Sequence, residues 1–189
     1  VSVCGACFAR EHYHPAPRIY GYSHRPVPNF LGNTVRTVLY LGVELEADNG
    51  DFGSDSLRDL WSLSDDEKLF YLKYDSSLRN GVEVVTHPAT LDYHRRKFPW
   101  RAILQKLEEY NFKSYRTTTC GLHVHASKAG LGRTPEERES TMSKLVLLFW
   151  RHWDEIVAFS RRTPGALRSW SRGNHTVGNE STPVVKKLY

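Results

Sequence analysis

Residues 37–47 read TVLYLGVELEA, an alternation of apolar and polar positions that is typical of a half-buried β-strand. The odd-numbered apolar side chains face one way, and we expect them to lie in the core. Gly42, Glu44 and Glu46 share the opposite face. This stretch therefore predicts a sheet with one buried face and one open face, which carries acids and has room for a ligand beside the glycine.

Two further strands follow and are predicted to pair with each other. LFYLKYD (69–75) and GVEVVTH (81–87) flank the turn-rich sequence SSLRNG. Asn80-Gly81 is a dipeptide that favours tight turns between antiparallel strands. The two stretches therefore predict a β-hairpin in the same sheet.

Three helices are predicted between and after the strands. SLRDLWSL (56–63) forms a short one, and apolar residues at helical spacing predict another over about 99–112. The sequence Thr134–Glu137 combines a capping box with proline at the first helical position, which predicts a helix to about Arg161. Its apolar stripe is expected to pack on the sheet. We predict an α+β fold, with an antiparallel sheet and helices packed on one face.

The composition is that of an ordinary globular domain. The chain has 189 residues, 40% hydrophobic and 25% charged, without the apolar run of a membrane span or secretory signal. The net charge of +5 is scattered, so we do not expect nucleic acid as the main partner. Three cysteines do not predict a disulfide scaffold, and we expect a cytoplasmic location. Residues 1–36, rich in proline, predict an irregular N-terminal arm.

Acidic residues on neighbouring predicted strands favour a metal site. Glu83 alternates with apolar residues as Glu44 and Glu46 do, and Asp75 ends the strand before it. If these strands share a sheet, the carboxylates converge, and like charges that close need a cation. Oxygen ligands favour Mg²⁺ or Mn²⁺, which proteins commonly use to bridge the phosphates of a nucleotide.

Two histidines lie on one face of a fourth predicted strand. Residues 116–126 read RTTTCGLHVHA, so the alternation places His123 and His125 together. Imidazoles at this spacing are suited to donate to phosphate oxygens or to hold a metal. Without the acidic strands, the same pair would indicate a zinc-dependent hydrolase.

Four blocks of sequence together resemble the amidoligase family of bacteria and phages. They are GVELE (42–46), YDSSL (74–78), GVEVVTHP (81–88) and CGLHVHAS (120–127), and YGYSHRPVPNF (20–30) is similar to the segment before the family's first strand. These proteins are carboxylate-amine ligases with the fold of glutamine synthetase and glutamate-cysteine ligase. The resemblance covers about residues 18–162. It implies an open sheet face that binds ATP and divalent cations, where a phosphorylated carboxylate is attacked by an amine.

The resemblance also implies roles for individual residues. Glu44, Glu46 and Glu83 match the family's acids and would be Mg²⁺ ligands that take part in catalysis. His123 and His125 match the family's HxH strand. The first of these histidines would contact nucleotide phosphate or metal during catalysis, and the second would help to bind the cofactor.

Other positions extend or depart from the family pattern. Arg162, in FSRR, resembles an arginine that would hold phosphate or substrate carboxylate, with Arg161 as the alternative. Asp75 is expected to line the nucleotide site, and Ser76 stands where the family more often has glycine. The family continues past the position of Tyr189 with a strand that carries glutamate and arginine. We therefore expect the catalytic domain, residues 18–189, to be truncated at its C-terminus.

Residues 1–17 are predicted to be a partial, zinc-knuckle-like segment. Cys4-x-x-Cys7 resembles the last half of a zinc ribbon that often precedes the ligase domain, so both cysteines would bind a structural Zn²⁺. Closure of the site by the two histidines that follow is one alternative, and a pair of free thiols is another.

Three functions are thus open at the level of sequence. The first is an ATP-dependent amidoligase that joins a carboxylate to an amine on small molecules, peptides or proteins. The second is a metal-dependent hydrolase or phosphoesterase that uses the same acids and the HxH pair. The third is a nucleic-acid-binding or protein-binding module built on the basic arm and the CxxC motif.

Overall fold

A computed structural model describes residues 17–33, 35, 38–115, 117–161, 165 and 167. In chain order, its strands and helices are β1 (Ile19–Tyr20), β2 (Tyr40–Ala47), α1 (Ser54–Ser62), β3 (Phe70–Lys73), β4 (Val82–Thr86), β5 (Ala89–Thr90), α2 (Leu91–Arg96), α3 (Trp100–Glu109), β6 (Leu122–Ala126), a 3₁₀ helix (Lys128–Leu131), α4 (Pro135–Arg151) and α5 (Trp153–Ser160). Within these residues, no helix has the length and apolar character needed to cross a membrane.

The strands form one mixed, open sheet, and the fold is α+β. β2 is antiparallel to β4 along one side and to β6 along the other, and β3 lies beyond β4. β1 pairs with β3 in the parallel direction, so the prediction of an antiparallel sheet is wrong at this edge. The two residues of β1 are too few to show an alternation, which is why the sequence did not reveal this strand.

The core lies between the sheet and two helices, α1 and α3, close to the positions predicted for them. Its buried residues from these elements are Leu45, Ala47, Leu60, Trp61, Phe70, Leu72, Val82, Val84, Ile103 and Leu107. Burial of these apolar side chains supplies the main favourable free energy of folding. Helix packing on one face is therefore confirmed for α1 and α3, and it leaves the face of Glu44 and Glu46 free of helices from this core.

The predicted hairpin of β3 and β4 is present, but its connection is longer than a tight turn. Residues 74–81 join the two strands, so the connection extends beyond Asn80-Gly81, the dipeptide that signalled a tight turn. Gly81 is required for another reason. A Cβ there would lie 2.3 Å from the carbonyl oxygen of Ala47, at the end of β2. The loop thus passes against β2 at a distance that only glycine permits.

Helix α4 begins as predicted but does not bury its apolar stripe. The hydroxyl of Thr134 accepts a hydrogen bond from the N–H of Glu137 at 3.2 Å, which confirms the capping box. None of the described residues of α4 is buried, and Leu145 and Phe149 are 40% and 52% exposed. The helix is also interrupted at His152. The prediction of one continuous core helix is wrong, because local capping fixes where a helix begins while burial depends on a partner surface.

Candidate metal centre

Strand register builds a row of charged side chains across the open face of the sheet. Lys73 of β3 pairs with Glu83 of β4, and Glu83 pairs with Glu46 of β2. Asp75, in the loop after β3, adds a third carboxylate at the same place. We refer to Lys73, Asp75, Glu83 and Glu46 as the acidic row.

The three carboxylates of the acidic row could hold a metal ion. Glu46, Asp75 and Glu83 each offer one oxygen within 4.8 Å of the other two. Glu46 and Glu83 are buried, and Asp75 is half-buried. The sequence predicted the two glutamates as metal ligands and Asp75 as a residue of the nucleotide site, and the structure brings all three together. Their hard oxygen atoms suit Mg²⁺ or Mn²⁺.

Lys73 is the member of the acidic row that was not predicted from the sequence. Its Nζ lies 3.2 Å from Oε2 of Glu83, and both side chains are only 4% exposed. The same Nζ lies 5.2 Å from the centre of the Tyr22 ring. A signal was present, because the alternation in LFYLKYD already places Tyr71 and Lys73 on one face of the strand.

Burial shifts the pKa of both glutamates in the acidic row. It raises the pKa of Glu83 above its ordinary value, although the nearby ammonium of Lys73 opposes this shift. Burial also raises the pKa of Glu46, although the backbone N–H of Gly121 donates a hydrogen bond to its Oε2. Desolvation disfavours the ionised form of each glutamate, whereas a nearby positive charge favours it. A bound cation would therefore lower both pKa values again.

Asp48 fixes the loop that carries Asp75. Its fully buried carboxylate accepts hydrogen bonds from four donors, the backbone N–H groups of Asn49, Arg79 and Asn80 and the hydroxyl of Thr119. Burial by itself would raise the pKa of Asp48, but these donors together hold it below its ordinary value. Asp75 adds a local turn by accepting from the N–H of Ser77 at 2.7 Å. The position of Asp75 is therefore set from both ends of its loop.

Glu44 lies with the histidines, outside the group of three converging carboxylates. It pairs across the strands with His123 of β6, a strand shorter than the predicted 116–126. Its Oε2 lies 3.2 Å from Nδ1 of His123, and its Oε1 lies 3.4 Å from Nε2 of His125. Burial opposes ionisation of Glu44, but the two imidazoles hold its pKa below the ordinary value. We refer to Glu44, His123 and His125 as the histidine row.

Two depressions lie on the open face beside these rows. One, of about 540 Å³, is lined among others by Tyr22, Glu46, Asp75, Thr119 and His123. The other, of about 260 Å³, is lined among others by Arg25, Pro28, Gly42, Glu44 and His125. The N-terminal arm contributes a wall to both. The second depression provides the room that the sequence predicted beside Gly42.

Three predicted site residues fall outside the described part of the chain. They are Cys4 and Cys7, the predicted zinc ligands, and Arg162, predicted to hold phosphate or substrate carboxylate. The candidate centre is thus built from residues of β2, β3, β4 and β6 and from the loop that contains Asp75.

Comparison with known proteins gives no family assignment. No protein-family model, no curated protein and no solved structure matches this chain. The resemblance to amidoligases therefore rests on the four sequence blocks, and any function must be argued from the geometry of the open face.

Proposed function

We propose that this chain carries the catalytic face of an ATP-dependent carboxylate-amine ligase, an amidoligase with a glutamine synthetase-like fold. One observation carries the proposal, namely that Glu46, Asp75 and Glu83 converge within 4.8 Å on the open face of the sheet. Carboxylate ligands suit Mg²⁺, and protein-bound Mg²⁺ commonly contacts the phosphates of ATP. The sequence blocks that resemble amidoligases contain all three acids.

The two rows have different roles in this proposal. Glu46, Asp75 and Glu83 would hold Mg²⁺, which neutralises charge on the transferring phosphoryl group when ATP is bound. His123 lines the same depression, and its side chain is 48% exposed, so its imidazole can reach a phosphate oxygen. Glu44 fixes the orientation of that imidazole through Nδ1.

The proposed reaction has two steps. A carboxylate oxygen of one substrate attacks the γ-phosphorus of ATP, and the bond to the leaving ADP breaks. An amine then attacks the carbonyl carbon of the acyl phosphate, an amide forms and inorganic phosphate leaves. The amine must lose a proton, and the histidine row offers groups that can accept it. The substrates are small molecules, peptides or proteins. The use of ATP agrees with the predicted cytoplasmic location.

Titration calorimetry with ATP, with and without Mg²⁺, tests the metal centre. We expect Glu46→Gln to weaken Mg²⁺-dependent binding of ATP by about tenfold or more, because it removes one charged ligand of the cation. Glu108→Gln is the matched control. Glu108 is an exposed acid on α3, which packs on the opposite face of the sheet, and its replacement should leave ATP binding unchanged.

Catalysis is tested by ADP release in mixtures of carboxylates and amines, with mass spectrometry of the amide product. Binding of ATP that depends neither on Mg²⁺ nor on Glu46 would contradict the proposal. Metal-dependent hydrolysis of a phosphoester in the absence of ATP would favour the hydrolase alternative instead.

A further inference from the structure

The second depression on the open face, of about 260 Å³, brings together side chains of both charges. The N-terminal arm contributes Arg25, and the strands contribute Gly42, Glu44 and His125. Its volume lies below the range of about 300–1,000 Å³ that drug-sized ligands occupy, so it suits a smaller molecule. A small molecule with one anionic and one cationic group would match both signs of charge.

Tyr71 offers this depression a polar group that has no partner in the described part of the chain. The residue belongs to β3, lines the depression and is only 8% exposed. Its ring packs against the imidazoles of His24 and His87, with ring centroids 5.5 and 5.6 Å away. Its hydroxyl makes no hydrogen bond with any residue that the structure describes. Because polar groups this deeply buried are almost always hydrogen-bonded, the hydroxyl indicates a ligand in the depression.

Arg25 provides further donors close to the hydroxyl of Tyr71. Its Nη1 donates to the carbonyl oxygens of Tyr22 and His24, at 2.8 Å each, which fixes the guanidinium on its own arm. A guanidinium has five N–H groups, so others stay available for a ligand. Burial and the charge of Glu44 raise the pKa of Tyr71, against the nearby charge of Arg25, so the phenol stays protonated and can donate. The two side chains are suited to bind one carboxylate.

We propose that the second depression binds the amine substrate, and that this substrate is an amino acid whose carboxylate is held by Arg25 and Tyr71. This inference rests on the proposed function and deepens it by naming the class of amine. Glu44 and His125 line the same depression, so the amino group would lie beside the histidine row. His125 contacts Glu44 through Nε2, which leaves Nδ1 to accept the proton that the attacking amine loses. The carboxylate to be phosphorylated belongs instead in the larger depression, which the acidic row lines.

Calorimetry with single L-amino acids tests the inference on the full chain, with saturating Mg²⁺ and ATP and again without them. Each amino acid is compared with the amine that lacks its α-carboxylate, and we expect the best-bound amino acid to bind about tenfold tighter or more. Arg25→Gln should remove that preference, whereas Arg25→Lys should keep part of it. Arg58→Gln is the matched control, because Arg58 is an exposed arginine of α1 paired with Asp55.

Two further variants test the depression with little change to the fold. Tyr71→Phe removes the hydroxyl and keeps the packed ring, so amino-acid binding should weaken by about threefold to tenfold. Tyr110→Phe is its control, since the hydroxyl of Tyr110 donates to Asp59 of α1. A Cβ at Gly42 would meet the Cβ of His125 at 3.8 Å, an ordinary contact, so Gly42→Val should fold, fill the depression and abolish amino-acid binding.

The outcomes separate this inference from the proposed function. Absence of amino-acid binding, equal affinity for an amino acid and its amine, or unchanged affinity in Arg25→Gln would each overturn the inference and leave the proposed function in place. Loss of Mg²⁺-dependent ATP binding in Arg25→Gln would assign this arginine to the nucleotide and would also overturn the inference. A wild-type chain that does not bind ATP with Mg²⁺ would overturn the proposed function itself.

Discussion

Glu46 of the acidic row and Glu44 of the histidine row lie only two residues apart on β2, yet their environments are opposite. Glu46 is buried beside other acids, and burial raises its pKa. The side chain of Glu44 is 26% exposed, and two imidazoles lower its pKa against the effect of burial. The difference comes from the neighbouring strands, because β4 presents Glu83 to one glutamate and β6 presents His123 to the other. The residue opposite on the neighbouring strand thus determines whether the pKa of a strand carboxylate is raised or lowered.

The largest difference between the two rows should be in their contribution to the free energy of unfolding. Glu83→Ala leaves the buried ammonium of Lys73 without its closest partner, so we expect a loss of about 3 kcal/mol in the free energy of unfolding. Glu44→Ala leaves two partly exposed histidines, and we expect a loss below about 1 kcal/mol. Urea unfolding without metal measures both. Equal losses of stability in the two variants would mean that the deeper burial of the acidic row does not increase its contribution to the fold.

Metal affinity provides the next comparison. Asp75→Asn removes one of the three converging carboxylates and should weaken Mn²⁺ binding by about tenfold or more. Glu44→Gln changes a residue outside the converging group and should weaken it by less than about threefold. Calorimetry with Mn²⁺ measures both variants. A loss in Glu44→Gln as large as that in Asp75→Asn would make Glu44 a metal ligand, as the sequence predicted, and would unite the two rows in one site.

The smallest expected difference is in the pH dependence of Tm. Because the pKa of Glu83 is raised, ionising it is less favourable in the folded chain than in the unfolded chain. The free energy of unfolding of the wild type without metal should therefore fall as the pH rises from the ordinary carboxyl value through the raised one, although the ion pair with Lys73 still stabilises the fold. Glu83→Gln should therefore gain stability relative to wild type as the pH rises above the ordinary carboxyl value of 4.5.

For Glu44 we expect the opposite dependence of stability on pH. Its pKa is lowered, so its contribution is present above the ordinary carboxyl pKa and is lost as the pH falls through the lowered value. The Tm of Glu44→Gln should therefore approach that of the wild type only at acidic pH. The changes in Tm should be about 2–4 °C, and saturating Mg²⁺ should remove the change for Glu83→Gln alone. Differences that do not vary with pH would contradict both assignments.

The sequence could predict the faces of the strands but not their register. Within β2, residues 40–47, the alternation correctly separates the core side of Leu45 and Ala47 from the side of Glu44 and Glu46. A shift of β4 by two residues would keep every face and would bring Glu44 beside Glu83 instead. Register depends on the loop of residues 74–81 and on its contact with β2, which no periodicity encodes. The two glutamates therefore could not be assigned to different rows in advance.

Other differences have similar physical causes. Lys73 shares the alternation of its strand, but a lysine on an open face is usually solvated. In the structure it is buried, with its ammonium beside Glu83 and the ring of Tyr22 from the N-terminal arm, a segment that is distant in sequence. The start of α4 was predictable because the capping box is local, formed by Thr134 and Glu137. The exposure of its apolar stripe was not, because it depends on which surfaces meet in three dimensions.

Asp48 connects the candidate centre to an observable that needs neither metal nor substrate, the exchange of amide hydrogens with solvent. Arg79 and Asn80 are exposed loop residues, where exchange is ordinarily fast, yet their N–H groups donate to a fully buried carboxylate. Exchange at these amides requires Asp48 to release one end of the loop. Because Asp75 lies on the same loop, the exchange rates at residues 79 and 80 report how often the loop that carries this carboxylate is released from β2.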